Sequence, residues 1–217
     1  MTDLLELIHT RRSIRRYTDQ AVPPELVARL LSAAVWAPSA HNRQPWRFVI
    51  VEDGATKARL ATAMGARLRR DLAADGLDAA AIERDTGRSY ARISGAPLLI
   101  LLCLTLADMD DYPDARRRGH EMTMAAQSVA MAGQNLLLAA HALGLGACWL
   151  CAPLFCADTV REALALPDDW QPQGLITVGY PAEEKTKTRA LLETRVWWMD
   201  VEQDSYPASY ERDWSTG

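Results

Sequence analysis

Leu4, Leu5, Leu7 and Ile8 fall within two turns, so residues 3–10 read as a short amphipathic helix. Pro23, Pro24 and Glu25 announce a second, carrying Leu26, Val27, Leu30, Leu31 and Ala34 on one stripe and ended by Pro38. A polar loop to Pro45 leads into Arg47–Val51, a β-branched strand candidate. Residues 55–93 place Leu60, Met64, Leu68 and Leu72 at helical spacing; Gly76 divides this stretch into two half-exposed covering helices. Pro97 introduces Leu98–Leu104, too short for a typical helix and apolar throughout, as a strand buried on both faces reads.

After a loop at Asp108–Pro113, the longest helical pattern runs from Arg117 to Leu143, and Gly144 and Gly146 stop it. Its middle is Ala, Ser, Gly and Met, small residues that admit close neighbours, so it is expected to be a central helix packed on several sides. Ala147–Ala152 reads as a strand, Asp158–Leu164 as a short helix and Gly174–Tyr180 as another strand closed by Pro181. From Val196 the tail carries Trp197, Trp198, Tyr206, Tyr210 and Trp214, too aromatic for a linker. The pattern is α+β, with no internal repeat, and residues 1–217 read as one domain.

At 217 residues, 49% hydrophobic and 24% charged, the chain has an ordinary globular composition. A net charge of −4 and a pI near 5.6 offer no long-range attraction to nucleic acid or an anionic membrane, so any bound anion has to be held by local arginines. The N-terminus lacks the layout of a signal peptide and the longest apolar run cannot span a bilayer, so a cytoplasmic protein is expected. Of the four cysteines, Cys103 reads as core filler in a reducing compartment.

Two polar clusters carry candidate chemistry. Arg11, Arg12, Ser13, Arg15 and Arg16 follow the first helix, and guanidinium forks with a hydroxyl suit phosphate oxygens, although on this segment alone a solvated charge run is the simpler account. Between the second helix and the first strand, Pro38, Ser39, Asn42 and Gln44 offer donors and acceptors for a polyol chain or heterocycle edge, with Trp46 placed to wall an aromatic ligand. A self-capped surface loop with one core tryptophan accounts for the same residues. Cys148 and Cys151 have CxxC spacing but lie in an apolar segment with no helix start behind it, the four histidines show no ligand spacing, and no dinucleotide-binding glycine pattern follows a strand. No metal site is expected.

Arg11-Arg12-Ser13-Ile14-Arg15, the run from Ala37 to Phe48, Gly144–Trp149, and Val178–Pro181 followed by Lys187 and Arg189 resemble the nitroreductase family in order and spacing, over residues 4 to about 195. The resemblance implies an α/β/α sandwich with a mixed, mainly antiparallel sheet and a long central helix, in a homodimer whose subunits jointly enclose two FMN molecules. It implies that Arg11, Arg12, Ser13 and Arg15 grip the FMN phosphate and ribityl groups with Lys187 and Arg189, and that Pro38, Ser39, Asn42 and Gln44 contact the flavin. It also implies that backbone from Gly146 through Cys148 and Trp149 to Leu150 borders the ring, and the aromatic tail of 196–217 is expected to pack on the partner subunit. Ping-pong hydride transfer through flavin N5 follows, with NAD(P)H a transient reductant and no catalytic side chain nominated.

Finer similarity at Arg67–Leu72, Ala96-Pro97, Asp108–Ala115, Gln134–His141 and Cys148–Cys156 points to the FMN-binding C-terminal domain of the bifunctional gamma-glutamyl ligase of coenzyme F-420. It implies a dehydro precursor of that deazaflavin as acceptor, with Arg67, Asp71 and Trp46 on the substrate side, although no ligase segment is expected within these 217 residues. A general nitro or quinone reductase, a flavin-cleaving enzyme of the benzimidazole synthase type and a non-catalytic flavin or deazaflavin binder remain alternatives.

Overall fold

A computed structural model of the chain describes residues 3–197 and residue 199. One compact unit spans Met1–Lys185, and Thr186–Gly217 forms a second. The first contains α1 (Leu4–Thr10), α2 (Pro24–Val35), β1 (Trp46–Val51), α3 (Gly54–Ala74), α4 (Ala79–Ser94), β2 (Leu98–Leu104), α5 (Ala115–Ala142), β3 (Gly146–Leu150), α6 (Ala157–Leu164) and β4 (Gln171–Gly179). Within the second, Leu192–Thr194 forms a single 3-10 turn. The aromatic tail expected to pack on a partner lies outside the described residues at Trp198 and from residue 200 onward.

The four strands are ordered β1-β2-β4-β3 and every pair is antiparallel; the parallel element is an isolated bridge between Ser13 and Ala147. Successive side chains of a strand face opposite sides of the sheet, and here both sides are covered. On one, Leu98, Ile100, Leu102 and Leu104 share a core with Leu30 and Ala34 of α2 and with Ala125, Val129, Ala132 and Leu136 of α5. On the other, Leu99, Leu101 and Cys103 pack with Leu60 and Met64 of α3, Ile93 of α4 and Val160 of α6. This two-sided burial is why β2 is apolar at all seven positions, and it produces the α/β/α sandwich.

Helix ends follow local chemistry. Asp53, Asp78 and Asp114 cap α3, α4 and α5 by accepting hydrogen bonds from Thr56 N, Ala81 N and Arg117 N. Gly144 ends α5 at φ +75°, a left-handed conformation that glycine adopts without a Cβ penalty. The β3 strand stops at Leu150, two residues before the expected end, because Ala152–Phe155 turns into a 3-10 helix around Pro153. No helix among the described residues is long and apolar enough to cross a membrane.

Lys57 is buried in α3 and its Nζ donates to Ala96 O (2.8 Å) and Pro97 O (3.0 Å), closing the chain between α4 and β2. Burial lowers its pKa. Lys57→Met fills the same space but strands two carbonyls, so a loss of about 1–3 kcal/mol is expected in urea unfolding; an unchanged midpoint would mean that water replaces the ammonium there.

Candidate functional site

The arginine cluster begins where α1 ends. Arg11 is the C-cap of α1, and residues 12–16 continue as a ribbon laid along β3, with Ile14 N donating to Ala147 O at 3.1 Å. Gly146 makes this approach possible, since a Cβ there would stand 2.8 Å from Ile14 Cβ. Ile14 is buried, whereas Ser13 is half-buried and Arg15 exposed, the alternation of an extended chain. Arg12 donates through Nη1 to the carbonyls of His9 and Arg11, and its buried Nε has no partner among the described residues.

The field around the ribbon is positive. At the C-terminal end of α5, burial and then the charges of Arg11 and Arg12 push the His141 pKa down. One carboxylate stands nearby: Glu183 accepts from Arg15 N (2.8 Å) and Lys185 Nζ (3.0 Å), and the Arg15 amide bond leads the causes that hold its pKa low.

Beside the ribbon, Arg15 shares an open cavity of about 250 Å³ with Ser89, Arg92 and Ile93 of α4 and with Trp149, Leu150, Cys151 and Ala152. The Arg15 side chain makes one long hydrogen bond, to Ser13 O at 3.4 Å. Two guanidinium groups and a hydroxyl therefore line this space without a carboxylate among them, an arrangement that suits an anionic or electron-rich ligand. Cys148, behind the cavity wall, is buried, and burial raises its thiol pKa against the opposing influence of Arg15, Ser13 and Arg92.

The second cluster, Pro38 to Gln44, keeps three non-glycine residues at positive φ: His41 (49°), Asn42 (54°) and Gln44 (51°). Ser39 Oγ accepts from Gln44 N (3.1 Å), and Ala40 N donates to Ser128 Oγ (3.4 Å) in the middle of α5. Two ion pairs, Arg43 with Asp110 and Arg47 with Asp108 (2.6 Å), strap the loop to the connection between β2 and α5. Asn42 and Gln44 are exposed, and Gln44 Nε2 donates to Asn42 O at 3.4 Å.

The two clusters do not meet within one chain. The ribbon lies beyond β3 and the loop leads into β1, at the opposite edge of the sheet. Along α5, Thr10 at the head of the ribbon contacts His141 (2.9 Å) while the loop contacts Ser128, 13 residues away (141 − 128) or roughly 20 Å of helix.

Trp46, expected as a ligand wall, is instead a core residue. The strand begins one residue earlier than its β-branched pattern indicates, so Trp46 pairs with Leu104 and is buried among residues packed on α2 and α5. Trp149 is half-buried, its indole lodged in the space left by Gly133 and Gly174. Arg67 and Asp71 bind each other on α3 (2.9 and 3.0 Å) and do not line the cavity. Lys187 and Arg189 are exposed residues of the second unit. Ser89 and Arg92 had no motif to mark them; their only signal is an i, i+3 spacing on a helix that reads as a cover.

A family model, described as the Nitroreductase family, matches residues 8–180. The 5,6-dimethylbenzimidazole synthase of Rhodospirillum rubrum is 35% identical over 188 residues, 82% of this chain and 82% of the relative. The NADH dehydrogenase of Thermus thermophilus is 32% identical over 213 residues, 87% of this chain and 92% of the relative. A Desulfovibrio desulfuricans protein described as a nitroreductase and crystallised with FMN superposes with a TM-score of 0.71 at 31% identity, covering 93% of this chain and 99% of the other. The family match and these relatives indicate an FMN-dependent oxidoreductase. The chain belongs to the nitroreductase family.

Proposed function

We propose that the chain is an FMN-dependent oxidoreductase that works as a homodimer. The observation that carries this reading is the arginine ribbon on β3 opening into a cavity bordered by Trp149–Ala152, a phosphate grip next to a slot for a ring. The donor set fits FMN: the buried, unpartnered Arg12 Nε lacks an acceptor that a phosphate supplies, and Arg11, Ser13 and Arg15 share its ribbon. When bound, FMN would supply two-electron hydride chemistry between NAD(P)H as donor and an electron-poor acceptor.

The chain's own residues bind and orient. Guanidinium groups at the cavity offset the negative charge that builds on a reduced ring, with Arg15 and Arg92 the two in place to do so. Pro38, Ser39, Asn42 and Gln44 stand at the far sheet edge, so in this reading they reach the flavin held by the partner subunit. The exposed apolar surface supports a partner: α1 has no buried residue, with Leu4 and Leu5 about 60% exposed, and Trp36 is 84% exposed.

For the acceptor we propose a dehydro precursor of coenzyme F-420, a reading that rests on the sequence similarity at Arg67–Leu72 and Cys148–Cys156 and is supported by the carboxylate-free cavity, which suits an acidic acceptor. Nitro compounds and quinones are the rival class, favoured by the nicotinamide-linked name of the Thermus relative. The purified protein is expected to take up FMN, turn yellow and sediment as a dimer. NADH or NADPH bleaches the flavin, and reoxidation is timed against the deazaflavin precursor, a nitroaromatic and a quinone. A colourless protein that refuses FMN overturns the flavin reading, and faster turnover of nitroaromatics overturns the acceptor. Oxygen-dependent loss of the flavin absorbance would assign it to flavin cleavage, as the name of the Rhodospirillum relative describes. Bound FMN that no donor reduces would leave a non-catalytic binder.

A further inference from the structure

Arg15 lies five residues beyond Thr10, the last residue of α1, and its side chain is held within the ribbon by a long hydrogen bond to Ser13 O. The geometry of the ribbon depends on Ile14, which is tied at three points. Ile14 N donates to Ala147 O, and its side chain fills the slot opened by Gly146. Its carbonyl accepts a hydrogen bond from the Tyr17 hydroxyl at 2.6 Å.

That hydroxyl reaches further, into the centre of the sheet. Tyr17 Oη lies 2.7 Å from Thr177 Oγ1 and 3.1 Å from Thr177 O. Thr177 is buried in β4, paired with Leu99 on one side and Cys148 on the other. The phenol carries one proton; with that proton on Ile14 O, the threonine hydroxyl donates to the phenol oxygen. Burial raises the phenol pKa, so the donor stays protonated at any working pH. Tyr17 Cβ packs close to Gly179, 3.0 Å from where a Cβ on that glycine would stand, and Thr18 N to Tyr180 O (2.9 Å) and Ala182 N to Arg16 O (3.0 Å) hold the residues on either side of Tyr17. Ser13 and Arg15 flank Ile14, so fixing the Ile14 carbonyl fixes the directions in which both project.

We infer that Tyr17, through Ile14 and Thr177, is a positioning residue that presets the ribbon for a phosphate monoester, and that it governs discrimination between FMN and the phosphate-free flavin. Tyr17 itself touches no ligand. It removes in advance the ordering cost that the ribbon would otherwise meet on binding phosphate. The inference rests on the flavin reading above.

Tyr17→Phe keeps the ring and deletes the clasp. Titration of the full-length apoprotein with FMN and with riboflavin is expected to show an FMN Kd raised about three- to tenfold, the size of one hydrogen bond, with the riboflavin Kd little changed. Thr177→Val, which keeps the shape and removes the second hydroxyl, is expected to shift the same ratio in the same direction. A merely structural role would weaken both flavins together, so equal losses, or an unchanged ratio in both variants, would overturn the inference. Should Tyr17→Phe not fold, Thr177→Val decides alone. A wild-type protein that takes neither flavin overturns the flavin reading and this inference with it, whereas a wild type that takes FMN with an unmoved ratio in the variants overturns this inference alone.

Discussion

Gly174→Ala is expected to destabilise the protein by about 3 kcal/mol, the upper end of the range for overpacking a closed core. Gly174 is buried in β4 beside the register shift at Leu102 and Cys103, and a Cβ there would press into the Trp149 indole, 2.8 Å from Nε1 and closer still to the ring carbons. The ring cannot retreat toward α5, where Gly133 already stands so near that a Cβ would lie 2.8 Å from Trp149 Cε3. Two glycines on two elements thus accommodate one indole. Shrinking the ring tests this. Trp149→Leu alone loses buried contacts and opens a void, yet Gly174→Ala added to it should cost less than in the wild type, a favourable coupling measurable by urea unfolding of the four proteins. Additive losses would show that the backbone of β4, and not the indole, absorbs the new methyl. Because Trp149 lines the cavity beside Arg15, Gly174→Ala is also expected to weaken flavin binding.

The pair of glycines marks a boundary of what the chain's pattern reveals. Hydrophobic patterning located the ten α-helices and β-strands described in the first unit, by a local period or by an unbroken apolar run, and stops such as Pro38 and Gly144 placed some of their ends, whereas the Asp114 cap that starts α5 two residues before the expected Arg117 went unread. The run Leu98–Leu104 showed even its two-sided burial, since no polar residue interrupts it. What a period cannot carry is the order β1-β2-β4-β3. That order sends Ser39, Asn42 and Gln44 to one edge and Arg11, Ser13 and Arg15 to the other, although only about 25 residues separate them in the chain. Trp46 went to the core for a related reason: a strand begun one residue earlier places it in register with Leu104. Ser89 and Arg92 reach the cavity because α4 folds back on α3, and nothing in their own segment differs from an ordinary solvated helix. The charge-bearing ribbon was legible because its composition is extreme over six residues; the neighbours it acquires in space were not.

Arg11→Ala and Arg43→Ala remove the same guanidinium from the two clusters, and they are expected to differ by an order of magnitude in FMN affinity. Arg11 caps α1 at the head of the ribbon, half-buried and close enough to His141 to lower its pKa, so its charge acts in a partly desolvated setting. A charge-assisted hydrogen bond to phosphate there is worth about 2 kcal/mol, and its loss should raise the FMN Kd roughly 30-fold. Arg43 is exposed and already paired with Asp110, so its loss is expected to change the Kd by no more than about threefold, as for an exposed ion pair. Riboflavin separates the two effects further, because Arg11→Ala should leave its binding nearly unchanged. Ionic strength supplies an independent axis: wild-type FMN affinity should fall with added salt more steeply than that of Arg11→Ala, since one of the screened charges is gone. Equal losses in the two variants, for both flavins and at all salt concentrations, would place the phosphate away from α1 and shift the anionic end of the site to the loop of Ser39–Gln44.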